Sequence, residues 1–265
     1  MTGVTLRSMG SIHLADLART CDHHGYEHLP YPFMPETISR RDGHNTDESP
    51  PFSDRFDRGD PRIVREWMEA YARADIWVEC RVIHSYADTL DTRILAFRAG
   101  TKGFFATQQP NTDTVEVFEL SPYELGAAVA SSVGLTKSGS HPRIVIPKYV
   151  NYFREPANDT EAGDGEFSVL RPVRSTRAGA NVTVVSNAEV TALAIVQSHC
   201  EPARGWGIDW DKKFVPWVHV RDDGDYIYTA DFSHAAPLTE KDLSDRIDRL
   251  IAHDVAVLRE RLGSY

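Results

Sequence analysis

The sequence predicts an α+β fold, in one domain of two similar halves that each contain strands, a hairpin and a helix. The first observation is a repeat, because a hairpin-forming segment at 98–107 (RAGTKGFFAT) returns in similar form at 221–229 (RDDGDYIYT). The second is that successive predicted strands have connections too short for parallel crossovers, which indicates antiparallel pairing. The third is a three- and four-residue spacing of apolar residues between the strand segments, typical of helices that bury one face. The two copies lie much further apart than the units of a solenoid, which are roughly 20–50 residues long.

The first half has a simple order of predicted elements. In chain order these are a short strand at 4–6, a helix at 12–21, a polar loop at 35–59, a helix that begins at Asp60 and Pro61, four strands at 76–84, 92–97, 104–108 and 115–120, and a helix to Val133 opened by a capping box of Ser121 and Glu124. In the strand at 76–84 the even positions are apolar and the odd positions are mixed. That alternation predicts one face on a core and one face open to solvent or a partner.

The second half repeats this order after a polar linker at 154–166. A short helix at 147–153 ends the first half before the linker. The predicted elements of the second half are an extended segment at 167–173, a helix at 187–199 capped by Asn187, strands at 206–211, 215–221 and 226–231, and a helix at 239–262. We therefore predict a single domain over 1–265 with halves at about 1–153 and 167–265. The last helix would be roughly 36 Å long at ~1.5 Å per residue, so one end is expected to project toward a partner or a second copy of the chain.

Composition excludes several classes of protein. The net charge of −10 argues against nucleic-acid binding, which needs a basic surface. The apolar runs are far shorter than the roughly 18 residues of a membrane span, and no secretory signal segment opens the chain. The three cysteines are scattered and odd in number, as expected of reduced thiols. These features predict a cytoplasmic protein that does not insert into a membrane.

Motifs of catalysis and of cofactor binding are absent from the sequence, which has no GxSxG, no P-loop and no HExxH. Two weaker patterns remain. Cys21 with His23, His24 and His28 has the residue types of a zinc site, and the pair His199–Cys200 has those of a Cys–His nucleophile. A polar helix end explains the first pattern and packing explains the second, so we predict no enzyme activity, no metal and no cofactor. A metal-dependent or Cys/His hydrolase is the alternative.

Several segments of the chain resemble the EspG family, the secretion-associated proteins of actinobacterial type VII (ESX) systems. They are LADL at 14–17, LPYPF at 29–33, ADIWVECR at 74–81, FRAGTKGFFA at 97–106, VFELSPYELGAAV at 117–129, GWG at 205–207 and PWVHVRDDGDY at 216–226. Two positions depart from the pattern. His219 stands where the family often has Asp, and Asp225 stands where Arg usually follows the hairpin glycine.

The resemblance implies a fold and a function. Similar proteins have a central antiparallel sheet flanked by two helical bundles with quasi-two-fold symmetry. They are cytosolic chaperones that bind the helical tip of the PPE protein in a PE–PPE heterodimer, and they keep it soluble until secretion. We therefore expect such a chaperone, with a homodimer as a further expectation.

The resemblance and the strand alternation together predict a partner-binding surface. By position in the family, it includes the loop residues Ser85, Tyr86, Asp88, Thr89 and Leu90. From the alternation, Glu79 and Arg81 would form a polar rim around an apolar patch of Trp77 and Ile83.

Overall fold

The central element of the computed structural model is an eleven-stranded sheet. The structure describes residues 4–35, 61–85, 90–154, 182–201 and 205–263. The strands within those ranges are β1 (Arg7–His13), β2 (Ile76–His84), β3 (Thr92–Ala99), β4 (Lys102–Gln108), β5 (Thr114–Leu120), β6 (Ile144–Val145), β7 (Thr183–Val184), β8 (Val190–His199), β9 (Phe214–Val220), β10 (Gly224–Tyr228) and β11 (Ala235–Pro237). Their order across the sheet is β1-β5-β4-β3-β2-β8-β9-β10-β11-β6-β7. Neighbours pair antiparallel except β6 and β7, so the predicted α+β class and the antiparallel central strands are confirmed.

Five α-helices accompany the sheet in the same ranges. They are α1 (Leu14–His23), α2 (Pro61–Ala72), α3 (Leu125–Ser132), α4 (Pro147–Arg154) and α5 (Glu240–Gly263). Each lies where the sequence predicts a helix, with bounds shifted by at most three residues. At α5 the Thr239 side chain accepts a hydrogen bond from the Asp242 backbone nitrogen at 3.2 Å, which caps the first turn.

Two runs of consecutive strands meet at the centre of the sheet. β2 to β5 form one antiparallel meander and β8 to β11 form another, and β2 pairs with β8 along eight registered residues from Trp77↔His199 to His84↔Ala192. The two similar hairpins of the sequence join β3 to β4 and β9 to β10, at matching places in the two meanders. The quasi-two-fold symmetry and the arrangement of helices as two bundles stay predictions.

The two faces of the sheet are packed differently. One face, called here the helix face, carries Ile76, Val78, Cys80 and Val82 of β2, and one continuous apolar cluster joins it to α3 and α5. The opposite face has two separate clusters. One lies with α1 and α2 and includes the stacked rings of Trp67 and Tyr71 at 5.4 Å, and the other lies around Phe153 of α4.

The prediction of a helix at 187–199 is wrong. Ser186 and Glu189 do form a capping box, but it opens only a 3-10 turn at Asn187–Glu189, and the chain continues as β8. β8 is a central strand whose two faces are both buried, and such a strand reads as an apolar run without alternation. Its side chains therefore lacked the pattern that marks a half-exposed strand.

Smaller corrections concern three other elements. The segment 206–211 contains no strand, and the first strand is β1 rather than a segment at 4–6. Glu124 caps α3 by position without a side-chain hydrogen bond, so the predicted capping box of Ser121 and Glu124 is wrong. The polar loop at 36–59, most of the linker at 154–166 and the segment at 167–173 lie outside the described residues.

Candidate partner-binding groove

Four residues lie in one row across four strands on the helix face of the sheet. The strand registers pair His84 of β2 with Ala192 of β8, Ala192 with His219 of β9, and His219 with Asp225 of β10. The next row, toward the centre of the sheet, contains Val82, Ala194, Trp217 and Ile227. In both rows β8 contributes an alanine while the strands on either side contribute larger side chains.

All residues of the two rows except Ile227 line a groove of about 390 Å³. Ala192 and Ala194 make the bottom, because a methyl group reaches less far above the sheet than its neighbours. The residues after α3 form the wall and consist of Val133, Gly134, Leu135 and Thr136. We name this feature the β8 groove.

One side of the β8 groove is a hydrogen-bonded polar cluster around Asp225. Its carboxylate accepts hydrogen bonds from the Thr136 backbone nitrogen at 2.7 Å and from the Thr136 hydroxyl at 3.1 Å. The His219 Nδ1 atom lies 2.9 Å from the other Asp225 oxygen. Since Asp225 is only 3% exposed, these contacts satisfy a carboxylate that has little water around it. His219 and Asp225, the two positions that depart from the EspG pattern, are therefore direct partners.

The far side of the β8 groove carries His84, whose charge state depends on its surroundings. Burial lowers the pKa of His84 below its usual value and the nearby His219 lowers it further, while Asp91 acts in the opposite direction. Arg221 and Asp222 line the open end of the groove.

The loop that follows β2 begins at the mouth of the β8 groove. Ser85 anchors it, because its backbone nitrogen donates to the Thr191 carbonyl at 2.9 Å and its hydroxyl donates to the Val190 carbonyl at 3.1 Å. Leu90, at the other end of the loop, is half-buried. Tyr86, Asp88 and Thr89 lie outside the described residues, so their place relative to the groove stays a prediction.

Comparison with known proteins assigns the chain to a family. A sequence model of the EspG family matches residues 15–249, which is most of the 265-residue chain. The chain belongs to the EspG family. No curated protein sequence matches it. Family membership fits a chaperone associated with type VII secretion, from a family that is not known for catalysis.

Of the residues predicted to bind a partner in this EspG-family chain, two are inaccessible. Trp77 is 3% exposed and Glu79 is 1% exposed, so the expectation that their face of β2 lies open is wrong for both. Trp77 packs in the cluster of α1 and α2, 6.1 Å from the Tyr71 ring. The prediction of one buried and one open face holds only at the end of β2, because Ile76–Cys80 are buried on both faces and the face that was expected to be open packs with α1 and α2.

The outer end of the same face remains accessible. Ile83 is 41% exposed, while Arg81 donates two hydrogen bonds to the Asp91 carboxylate at 2.5 and 3.0 Å. The partner-binding role of both residues stays a prediction. The structure brings Ile83, His84, Ser85 and Leu90 to one end of the sheet, and of these four His84 lines the β8 groove.

The residues of the hydrolase alternative do not converge. His199 lies on the opposite face of the sheet with Trp77, whereas Cys200 packs with the cluster on the helix face. Burial and the nearby Asp254 raise the pKa of the Cys200 thiol, and burial raises the pKa of Cys21 to about 12, so both favour the less reactive thiol form. Over the described part of the chain, no three His, Cys, Asp or Glu side chains are placed to hold a metal ion. In the same part, no helix combines the length and the apolar character that a bilayer span requires.

The floor of the β8 groove was missed at the sequence level. The sequence pattern predicts a helix over Ala192 and Ala194 and places His84 at the end of a strand. The relevant signal is that β8 has small residues between large ones on β2 and β9, and this signal requires the strand pairing to be known.

Proposed function

We propose that this EspG-family protein is a cytoplasmic chaperone of a type VII secretion system that binds the helical tip of the PPE subunit of a PE–PPE heterodimer. The tip docks in the β8 groove and against the loop at 85–90. Docking shields an apolar end of the partner from water, and thereby keeps the heterodimer soluble until it is secreted.

The observation that carries this proposal is the alanine floor of the β8 groove. A volume of about 390 Å³ over Ala192 and Ala194 has room for a few apolar side chains at the end of a helix. Trp217 and Val82 supply apolar walls, while the hydroxyl and imidazole groups of Thr136 and His219 supply a polar rim. A helix tip has the same mixed character, since its exposed side chains are apolar and its last backbone groups need hydrogen-bond partners.

The last helix supports a partner of this kind more than the predicted homodimer. Leu243, Ile247 and Leu250 are buried against the sheet, and Ile251, Val255 and Leu258 are partly buried in the same cluster. Most of the apolar stripe of this helix is therefore used within the chain rather than at an interface with a second copy. Light scattering of the purified protein tests the homodimer directly.

Co-expression with PE–PPE pairs tests the proposal. We expect one pair to become soluble and to elute with the chaperone in gel filtration. Ala192→Leu fills the floor of the groove and should abolish co-elution, because the inserted side chain occupies the space of the partner. Ala18→Leu, on the exposed side of α1 and on the opposite face of the sheet, is the matched control and should co-elute normally.

Circular dichroism must show that both variants are folded. The proposal is wrong if no PE–PPE pair is solubilised by the wild-type chain. The assignment to the β8 groove is wrong if folded Ala192→Leu binds the pair as the wild type does.

A further inference from the structure

Two histidines face the β8 groove from either side of Ala192. Adjacent strands lie roughly 4.8 Å apart, so the backbones of His84 and His219 are about 10 Å apart across the alanine. Both side chains line the cavity, and the methyl group of Ala192 leaves the space between them open. A partner in the groove would cover both imidazoles.

We propose that docking in the β8 groove is coupled to a proton, such that the partner binds the form with a neutral His84 and is released as the pH falls. This inference rests on the proposed function, because it concerns the same groove and the same partner. It adds the regulation of binding by pH.

Desolvation gives the direction of the effect. Already in the chain alone, partial burial lowers the pKa of His84. An apolar side chain seated over Ala192 removes more water from the same imidazole and disfavours its charged form further. The complex then holds fewer protons than the separate proteins, and such a complex weakens as the proton concentration rises.

The charges around His84 do not reverse this direction. Asp91 favours a protonated His84, but its carboxylate already accepts two hydrogen bonds from Arg81 and lies 3.7 Å from Arg93. Asp225 is held by Thr136 and His219 on the far side of the groove. Both carboxylates therefore have cationic or hydrogen-bonding partners before His84 takes up a proton.

The remaining charged groups lie at the open end of the groove. Arg221 and Asp222 line it, and the Lys137 ammonium donates to the Asp222 carbonyl at 3.2 Å. The positive charges of Arg221 and Lys137 disfavour the protonated form of His84, and the Asp222 carboxylate favours it. His219 adds to the opposition whenever it is itself charged, because it lowers the pKa of His84.

Proton-coupled binding would give the chaperone a route to release. A complex that is tight enough to protect an apolar tip must still dissociate before secretion. Protonation of His84 places a charge under the partner, while the nearby Asp91 carboxylate is already paired with Arg81, and this shortens the lifetime of the complex.

Calorimetry with the PE–PPE pair that co-elutes in the experiment above tests the inference. We expect the dissociation constant of the wild type to rise severalfold, but by less than about tenfold, between about pH 8 and about pH 5.5, because the pKa of His84 is already lowered in the free chain. His84→Gln keeps a polar side chain without a titratable group and should lose most of this dependence. His23→Gln, an exposed position on the opposite side of the sheet, is the control and should retain it.

A second measurement does not depend on the variant. Titrations of the wild type near pH 6 in two buffers of different ionisation enthalpy should show that a fraction of one proton is released on binding, and that this fraction grows as the pH is lowered. A dissociation constant that is unchanged over the pH range, or full pH dependence in folded His84→Gln, would overturn the inference and leave the proposed function standing. Absence of binding at about pH 8 would instead remove the proposed function and this inference together.

Discussion

Glu79 and His199 contact each other at the centre of the molecule, with Glu79 Oε2 and His199 Nε2 3.1 Å apart across the pairing of β2 and β8. Both side chains are at least 98% buried. The distance is that of an ion pair, but the contact lacks the geometry of a hydrogen bond, and His199 Nδ1 has no hydrogen-bond partner among the described residues. The junction of the two meanders thus contains an ionisable pair that is only partly satisfied.

Glu79 should make the stability of the protein depend on pH. Burial raises the pKa of this carboxyl above its ordinary value near 4.5, although His199 acts in the opposite direction. A carboxyl group whose pKa is higher in the folded than in the unfolded state stabilises the fold at any pH below its unfolded-state pKa. This stabilisation is lost as the pH rises through the folded-state pKa. Between the unfolded-state and folded-state pKa values of Glu79, the free energy of unfolding should fall by up to about 1.4 kcal/mol per pH unit.

Urea unfolding of the wild type and of Glu79→Gln, from about pH 4.5 to about pH 8, measures this dependence. Glutamine has a similar shape and does not titrate. The free energy of unfolding of the wild type should fall relative to that of the variant as the pH rises. Parallel curves would show that Glu79 does not change its charge on unfolding in this range.

The pair should also show strong coupling in a double-mutant cycle. Glu79→Leu alone leaves the nitrogens of His199 buried beside an apolar side chain, and is expected to destabilise the fold by about 3 kcal/mol. Glu79→Leu combined with His199→Leu removes both polar groups and should destabilise it much less, since buried ion pairs are often replaceable by apolar residues. Chemical denaturation of Glu79→Leu, of His199→Leu and of the double variant gives the coupling energy. Additive effects of the single changes would contradict a direct interaction.

Much of the fold was predictable because its signals are local. The helix positions, the antiparallel meanders and the two hairpins follow from spacing and turn residues within short segments. The contact of His219 with Asp225 is of this kind, because the turn at 221–224 places the two residues opposite each other.

The groove and the central pair were not predictable because their signals are not local. The row of His84, Ala192 and His219 depends on the pairing of β2 with β8, whose residues are more than a hundred positions apart in the chain. β8 itself was hidden because it is buried on both faces, where a strand and a buried helix have similar patterns. Glu79 was expected at a rim because its strand alternates, but alternation does not show which face another element covers.

Gly139 allows the segment after α3 to cross β10 closely, and any side chain there should be destabilising. A Cβ atom at this position would lie 2.0 to 2.5 Å from ring carbons of Tyr226. That ring is fully buried, and its hydroxyl accepts a hydrogen bond from the His141 nitrogen at 3.0 Å, so it has little freedom to move. Gly139→Ala is expected to lower the free energy of unfolding by about 2–3 kcal/mol through overpacking.

Thermal denaturation checks the size of this effect. Gly205→Ala is the matched control, because a Cβ atom there meets nothing within 4 Å. The control should change the stability by less than about 1 kcal/mol. Equal melting temperatures for the two variants would show that the crossing at Gly139 can relax.

Two buried glutamines hold two surface segments over the central pair, and they allow the final prediction. The Gln197 side chain donates to the Asp209 carbonyl at 2.7 Å and accepts from the Asp209 backbone nitrogen at 2.9 Å. The Gln108 side chain donates to the Met34 carbonyl at 2.8 Å and accepts from the Met34 backbone nitrogen at 3.2 Å. The Trp206 indole nitrogen joins the two segments by donating to the Phe33 carbonyl at 3.2 Å. Gln197→Leu should therefore release the segment at 205–213 and cost about 1–3 kcal/mol of stability, because two backbone groups lose their partner.

Hydrogen exchange resolves the two segments. In Gln197→Leu, exchange should accelerate at 205–213 more than at 29–34, and Gln108→Leu should show the reverse order. In each variant, exchange in the segment whose glutamine is unchanged should also increase slightly, because the hydrogen bond from Trp206 to Phe33 links the two segments. Equal acceleration of both segments in both variants would mean that they open as one unit, held together by the contact of Trp206 with Phe33 rather than separately by the two glutamines.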